Sequence, residues 1–230
     1  MPAVIVFDLD GTLIDTAPDL VATLNVVLTG EGLPPVPYEQ ARTLIGGGAK
    51  VMISRGLAAE GRSISQVQLD KLFGDFIDHY SAHIADHSRP FPGLEQALDR
   101  LAGDGFTFAV CTNKLEILSR KLLDALDLTR RFSFICGQDT FGVPKPDPDV
   151  LRKTIAAASS EVSGAIMVGD SETDVLTARA AGVPVIAVDF GYTPRPVAEF
   201  QPDHVISRFA DLPGAVAAIR SVTRIRDRRG

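Results

Sequence analysis

Reactive side chains follow several predicted strands of this 230-residue chain, each where an apolar run ends. Asp8-Leu-Asp-Gly-Thr12 follows the first run, Thr112-Asn113 follows a second, and Gly169-Asp170 follows another, with Asp174 four residues further on. Lys145 stands between two prolines ahead of a predicted helix. Ligands of open parallel sheets bind at the carboxyl ends of the strands, so we expect these groups to meet at one rim.

These residue types favour chemistry on a phosphoryl group. Asp8 and Asp170, with one backbone carbonyl of the turn that follows Asp8, offer the oxygen ligands that Mg²⁺ prefers. Such a cation neutralises the carboxylates and an anionic substrate, so that one anion can approach another. Lys145 adds a point charge, and Thr112 with the amides after it can hydrogen-bond phosphoryl oxygens.

Short β-branched runs predict the strands that carry these groups. They cover residues 3–7, 106–111, 132–136, 165–168 and 183–188, with a weaker sixth run at residues 204–206. Several are continuously apolar, which is typical of strands buried on both faces. Helical periodicity at residues 94–101, 115–126 and 151–158 alternates with them. The expected fold is therefore α/β, a doubly wound parallel sheet built from right-handed βαβ units.

Residues 16–85 break this alternation, because they show helical periodicity and no strand run. Predicted helices cover residues 19–28, 38–45 and 49–57, and apolar residues at positions 73–84 mark the inner face of a fourth. We expect residues 1–15 and 86–230 to form the α/β core. Residues 16–85 are expected to form an all-helical cap inserted after the first strand, where it can close over a ligand and exclude water.

Three features of this cap bear on function, namely the glycine loop, Lys50 and a run of histidines. The glycines at residues 46–48 precede a predicted helix, where backbone amides could meet the far end of a substrate, so Gly47 is a candidate binding residue. Lys50 follows, and it is either a partner for a substrate carboxylate or a surface lysine. His79, His83 and His87 recur every four residues, and we interpret them as a polar face of the cap rather than as metal ligands.

The composition is typical of a soluble globular protein. The chain is 45% hydrophobic and carries a formal net charge of -6, which argues against a general nucleic-acid binder. No apolar run approaches the ~18 residues of a membrane helix. The first seven residues lack the basic segment of a signal peptide, and Cys111 and Cys136 fit reduced, buried thiols, so we expect a cytoplasmic protein. The sequence leaves the oligomeric state open between monomer and homodimer. The arginine-rich residues 220–230 are interpreted as a solvent-facing end of the chain.

The motifs named above resemble, in order, those of the haloacid dehalogenase superfamily. The resemblance covers nearly all of residues 1–212 and rests on Asp8-Leu-Asp-Gly-Thr12, Thr112, Lys145-Pro-Asp-Pro148 and Gly169-Asp-Ser-Glu-Thr-Asp174. Within that superfamily, Val110-Cys-Thr-Asn-Lys114 and Gly191-Tyr192 are most similar to the phosphoglycolate phosphatase branch, which has a small helical cap. The resemblance implies an Mg²⁺-dependent phosphatase of a small phosphorylated metabolite, with 2-phosphoglycolate as the expected substrate.

The resemblance also implies a role for each matching residue. Asp8 is the nucleophile that becomes an aspartyl-phosphate, and Asp10 is the general acid and then the general base. Asp8, Asp170 and the carbonyl of Asp10 are the expected metal ligands. Asp174 orients Lys145 or a metal-bound water. The residues expected to hold the phosphoryl group are Thr112, Asn113 and Lys145.

Three rival functions are weighed against hydrolysis. Sugar phosphomutases resemble the same fold and keep both aspartates, so only release of phosphate without a sugar bisphosphate separates the two activities. Relatives that cleave carbon–halogen or carbon–phosphorus bonds lack the second aspartate or use a cap lysine as a Schiff base, and Asp10 argues against both. A non-enzymatic binding module is disfavoured, because clustered carboxylates repel one another without a metal.

Overall fold

The computed structural model describes residues 3–227, with side chains up to residue 221. The strands are β1 (Val4–Phe7), β2 (Ile14–Asp15), β3 (Arg89–Pro90), β4 (Thr107–Cys111), β5 (Phe134–Cys136), β6 (Ala165–Gly169), β7 (Val185–Val188) and β8 (His204–Ile206). The helices are α1 (Ala17–Gly30), α2 (Tyr38–Arg42), α3 (Ala49–Ala59), α4 (Gln66–Ala82), α5 (Leu94–Gly103), α6 (Glu116–Ala125), α7 (Pro148–Ala157), α8 (Glu172–Ala181) and α9 (Leu212–Asp227).

Six of these strands form one parallel sheet in the order β5-β4-β1-β6-β7-β8. Strand β1 lies near the middle and is completely buried along its length. Ile5 and Phe7 belong to one apolar cluster, whereas Val4 and Val6 belong to another, because successive side chains of a strand point to opposite faces. An apolar layer therefore covers both faces of the sheet, which confirms the predicted doubly wound α/β class.

Four helices, α1 to α4, lie between strands β2 and β3. Helix α4 packs on α1 and α3, and α1 also packs on α2 and α3. Strands β2 and β3 pair antiparallel, with Ile14 opposite Pro90 and Asp15 opposite Arg89. The chain thus leaves the sheet and returns to it through two adjacent short strands, a pairing that the apolar pattern does not predict because each strand has two residues.

The helix boundaries differ from the predicted ones in several places. Helix α2 ends at Arg42 rather than at residue 45, and α4 ends at Ala82, so His87 lies beyond the helix that carries His79. Helix α8 has no counterpart among the predicted helices, since its buried face is made largely of small side chains. A reciprocal hydrogen-bonded cap between Ser171 and Asp174 begins it.

The structure also bears on two further sequence-based interpretations. Among the described residues, no helix has both the length and the apolar character needed to cross a membrane. Arg220 lies over the ring of Phe106, 5.1 Å from its centre. The other side chains of the arginine-rich end, from residue 222 onward, lie outside the described residues.

Candidate active site

Lys145 joins two acidic residues that come from different strand ends. Its Nζ lies 3.0 Å from Oδ1 of Asp8, after β1, and 2.6 Å from Oδ1 of Asp174, in the first turn of α8. All three side chains are largely or completely buried. Burial favours the neutral amine, but the two carboxylates outweigh it and raise the pKa of Lys145. The raised pKa favours the charged ammonium of Lys145 beside Asp8.

Asn113 positions the loop that carries Lys145. Its side-chain amide donates to the carbonyl oxygen of Lys145 at 3.0 Å, and its Oδ1 accepts from the amide of Lys145 at 2.9 Å. Because the amide oxygen and one amide hydrogen are engaged with this backbone, Asn113 acts chiefly on the placement of Lys145. Thr112 is buried next to it, and its Oγ1 accepts a hydrogen bond from the amide of Lys114 at 3.2 Å.

Three carboxylates form an oxygen-rich cluster at this rim. Oxygen atoms of Asp8, Asp170 and Asp174 lie within 4.8 Å of one another. Burial and then the neighbouring negative charges raise the pKa of Asp170 to about 8. The pKa of Asp8 is raised by burial to about 6, although Lys145 opposes the shift. Buried carboxylates at this spacing are destabilised unless a cation joins them, so the donor set fits a hard divalent ion.

The members of the cluster differ in how many oxygen atoms they can offer. Both oxygens of Asp174 are engaged, one with Lys145 and the other with the amide and hydroxyl of Ser171. Asp170 accepts one hydrogen bond on each oxygen, from Thr12 Oγ1 at 3.0 Å and from the amide of Tyr192 at 2.9 Å. Asp8 and Asp170 therefore retain more capacity for a metal than Asp174, whose contacts suit the positioning role expected for it.

Glycines allow the backbone to close around Asp170. A Cβ on Gly11 would lie 2.6 Å from Oδ2 of Asp170, and one on Gly191 would overlap the same carboxylate. Gly11 also has a φ of +81°, which favours glycine. These close approaches hold Asp170 in one orientation.

Asp10 is held by a lysine to which the sequence analysis assigned no role. Nζ of Lys114 lies 2.8 Å from Oδ1 and 2.9 Å from Oδ2 of Asp10, and Thr16 Oγ1 donates to Oδ1 at 2.8 Å. The Lys114 side chain is 5% exposed and that of Asp10 is 17% exposed. The sequence feature that could have identified Lys114 as a site residue is its position, because it directly follows Thr112-Asn113 at a strand end.

Tyr192 links the acidic cluster to the start of the helical segment, which comprises residues 16–85. Its amide donates to Asp170, while its hydroxyl donates to Oδ1 of Asp15 at 2.7 Å and accepts from the amides of Thr16 and Ala17. One residue thus touches both the cluster and the connection between the sheet and α1. The motif Gly191-Tyr192 is visible in the sequence, but its contacts are not.

A cavity of about 480 Å³ lies between the rim of the sheet and the helical segment. Lys50 does not line it. Its Nζ instead pairs with Asp70 at 2.5 Å, with both side chains roughly half exposed, and lies over the ring of Phe73. The structure therefore does not bring Lys50 into the candidate site, because a partner on α4 holds it outside. The residues that line the cavity include Asp8, Asp10, Thr112, Asn113, Lys114, Lys145 and Asp170 from the sheet side, and Gly47, Met52, Phe73 and Tyr80 from the helical side.

Comparison with known proteins agrees with this geometry. Residues 5–188 match the family model of haloacid dehalogenase-like hydrolases. A phosphoglycolate phosphatase of Mesorhizobium japonicum is 52% identical, covering 91% of this chain and 92% of the relative. One from Agrobacterium fabrum is 48% identical, covering 92% and 91%. A crystal structure of a predicted phosphoglycolate phosphatase from Haemophilus somnus superposes with a TM-score of 0.85 at 28% identity, covering 92% of this chain and 96% of that one.

Proposed function

Because the chain belongs to the haloacid dehalogenase-like hydrolases, we propose that it is a phosphomonoester phosphatase whose substrate is 2-phosphoglycolate. The observation that carries the proposal is the buried contact of Lys145 with Asp8, beside Asp170 and Asp174. A carboxylate that lines a cavity and contacts a fixed cation is suited to attack on a phosphorus atom. The names of two relatives at 48% and 52% identity support the choice of substrate.

The proposed reaction uses Asp8 and Asp10 in two steps. An oxygen of Asp8 attacks phosphorus, the bond from phosphorus to the glycolate oxygen breaks, and Asp10 gives a proton to that leaving oxygen. A water oxygen then attacks the aspartyl-phosphate while Asp10 accepts its proton. The bond from phosphorus to Asp8 breaks, which releases inorganic phosphate and restores both carboxyl groups to their starting forms.

Other residues stabilise the charge on the transferring group. Lys145 already touches Asp8, so its ammonium lies where the phosphoryl oxygens must pass. Thr112, buried at the end of β4, offers a hydroxyl and a loop of amides on the same side. Asn113 and Asp174 keep Lys145 in this position through its backbone and its ammonium respectively.

Mg²⁺ is the cofactor that we propose for the acidic cluster. Asp8, Asp170 and the backbone carbonyl of Asp10 would hold it. The bound ion would supply positive charge that offsets the repulsion between carboxylates and phosphate. The raised pKa values of Asp8 and Asp170 support the proposal, because buried acids with this preference for the neutral form need a counter-charge to act as anions.

We assign the helical segment at residues 16–85 as a cap over a core formed by residues 1–15 and 86–230. The cap supplies the apolar side of the cavity, and these apolar side chains would exclude water from the reacting groups. Gly47 lines the cavity and stays a candidate for contact with the substrate. A cytoplasmic location is also part of the proposal, supported by the free, buried thiols of Cys111 and Cys136, which a reducing compartment preserves.

Phosphate release from a panel of small phosphomonoesters tests the proposed function. With Mg²⁺ present, we expect inorganic phosphate to form most rapidly from 2-phosphoglycolate, with no need for a sugar bisphosphate. Asp8→Asn is the matched control and should release none. Conversion of beta-glucose 1-phosphate to the 6-phosphate, with little phosphate released from any ester, would instead identify the mutase that the sequence leaves open.

A further inference from the structure

Lys114 is a buried cation whose partner is Asp10 rather than the residues around Asp8. Its side chain is 5% exposed, and both of its short polar contacts are to the carboxylate of Asp10. Lys145 already supplies positive charge to the phosphoryl side of the site. Lys114 therefore places a second positive charge beside Asp10, the residue proposed to protonate the leaving group.

Tyr80 faces this lysine from helix α4. The ammonium of Lys114 lies over its ring, 4.6 Å from the ring centre, and Tyr80 lines the same cavity. Tyr80 is 1% exposed. Among the side chains that the structure describes, its hydroxyl is a buried polar group without a hydrogen-bond partner. A buried hydroxyl without a protein partner, on a residue that lines the cavity, is available to a polar group of a bound ligand.

The covalent structure of 2-phosphoglycolate puts its carboxylate within reach of both groups. Only a methylene carbon separates the ester oxygen from the carboxyl carbon. Asp10 must come within about 2.6–3.2 Å of that ester oxygen to protonate it. Lys114 Nζ is 2.8 Å from Asp10. A cation so close to the acid that serves the leaving oxygen is also close to the carboxylate that the leaving group carries.

From this arrangement we infer that Lys114 and Tyr80 bind the carboxylate of the substrate and select acidic phosphomonoesters over neutral ones. The ammonium pairs with the carboxylate, and the Tyr80 hydroxyl donates to it. The inference rests on the proposed function and names the part of the site that recognises the leaving group. It makes Lys114 and Tyr80 specificity residues, one from the core and one from the cap.

The other cations that line the cavity are committed elsewhere. Arg55 donates to the carbonyl oxygens of Leu44 and Gly46 in the glycine loop. Arg195 pairs with Glu199, one helical turn further along the chain. Neither contacts Asp10, so within the described residues Lys114 is the lining cation that is both buried and in contact with Asp10.

A matched pair of substrates tests the inference without depending on the absolute rate. The pair is 2-phosphoglycolate and its carboxamide, which has nearly the same shape and lacks the negative charge. In the wild-type enzyme with Mg²⁺, kcat/KM should be higher for the acid. Lys114→Met should lower the ratio of the two kcat/KM values by about 10- to 100-fold, the effect of one hydrogen bond to a charged group. Lys153→Met, an exposed lysine on α7, should leave the ratio unchanged.

The possible outcomes distinguish failure of the inference about Lys114 from failure of the proposed phosphatase function. Equal losses on both substrates in Lys114→Met would overturn the inference, because Lys114 would then serve Asp10 alone, and an unchanged ratio would overturn it as well. Failure of the wild-type enzyme to release phosphate from any ester would instead reject the proposed function.

Tyr80→Phe provides a second test that does not disturb the pair formed by Lys114 and Asp10. Loss of the hydroxyl should lower the same ratio by about 3- to 10-fold through a higher KM for the acid. Because that hydroxyl has no hydrogen-bond partner within the protein, the melting temperature of Tyr80→Phe should equal or exceed that of the wild type. A lower melting temperature together with an unchanged ratio would show that the hydroxyl has only a structural role.

Discussion

The buried ion pair between Lys145 and Asp174 holds the ammonium of Lys145 against Asp8, the proposed nucleophile. Nζ lies 2.6 Å from Asp174 and 3.0 Å from Asp8, and the Asp174 side chain has no exposed surface. Asp174 is itself fixed by the amide and hydroxyl of Ser171 at the start of α8. The position of the lysine charge is therefore set by a helix cap on a different part of the chain.

Removing the charge of Asp174 should impair catalysis more than folding. In Asp174→Asn, we expect kcat to fall by about 10- to 100-fold, because Lys145 loses the anion that orients it. The fold should persist, since the amide keeps the shape of the side chain. Steady-state kinetics and thermal melts check this, with Asp149→Asn, an exposed acid on α7, as the control. Wild-type kcat in Asp174→Asn would remove this residue from the positioning role.

Replacement of Asp10 should slow the enzyme in proportion to how much help the leaving group needs. Asp10→Asn cannot donate a proton as a carboxylic acid, so we expect kcat to fall by about 10²- to 10⁴-fold on alkyl phosphates. Aryl phosphates leave as more stable anions and should be affected less in the first step. Rates of single turnover on both substrate types measure the difference. Equal slowing of the two types would contradict the acid role.

A methyl group at residue 191 should displace the Asp170 carboxylate. In Gly191→Ala, the added Cβ overlaps Asp170, so we expect a stability loss of about 1–3 kcal/mol and weaker Mg²⁺ activation. Thermal melts and Mg²⁺ titrations of activity measure the two effects. Gly214→Ala is a suitable control, because a Cβ there meets no atom within 4 Å. Unaltered Mg²⁺ activation in Gly191→Ala would contradict the placement of the metal beside Asp170.

Metal binding should tighten as pH rises across the pKa values of the cluster. Burial raises the pKa of Asp8 to about 6 and that of Asp170 to about 8, so both acids bind protons more tightly in the folded, metal-free protein than in the unfolded chain. Their contribution to stability is present at low pH and is lost as pH rises toward about 8. Mg²⁺ displaces these protons, and its affinity should increase between pH 6 and pH 8.

Thermal melts in EDTA and in saturating Mg²⁺ measure this dependence. The increase in melting temperature caused by Mg²⁺ should be larger near the upper end of that pH range than near the lower end. Asp170→Asn should abolish most of the difference, because the group with the higher pKa is gone. If Mg²⁺ raised the melting temperature by the same amount at every pH, the carboxylates would already be ionised without the metal.

The sequence alone was sufficient to predict the fold class and the residues at the rim of the sheet. Continuous apolar runs indicate strands buried on both faces, and the structure has apolar clusters on both sides of β1. Because parallel strands end at one edge, the acids that follow β1 and β6 had to lie near each other. Asp8, Asp170 and Asp174 do so, within 4.8 Å.

Contacts between distant segments could be read only from the tertiary structure. The sequence made Lys50 a candidate and gave Lys114 no role, but Asp70 on α4 holds Lys50 outside the cavity, whereas Lys114 reaches Asp10 across 104 positions. The side-chain direction of a lysine depends on which neighbours the packed fold offers, and the local pattern does not contain that information. For the same reason, only the fold revealed that Tyr80 meets Lys114 with its hydroxyl unpaired.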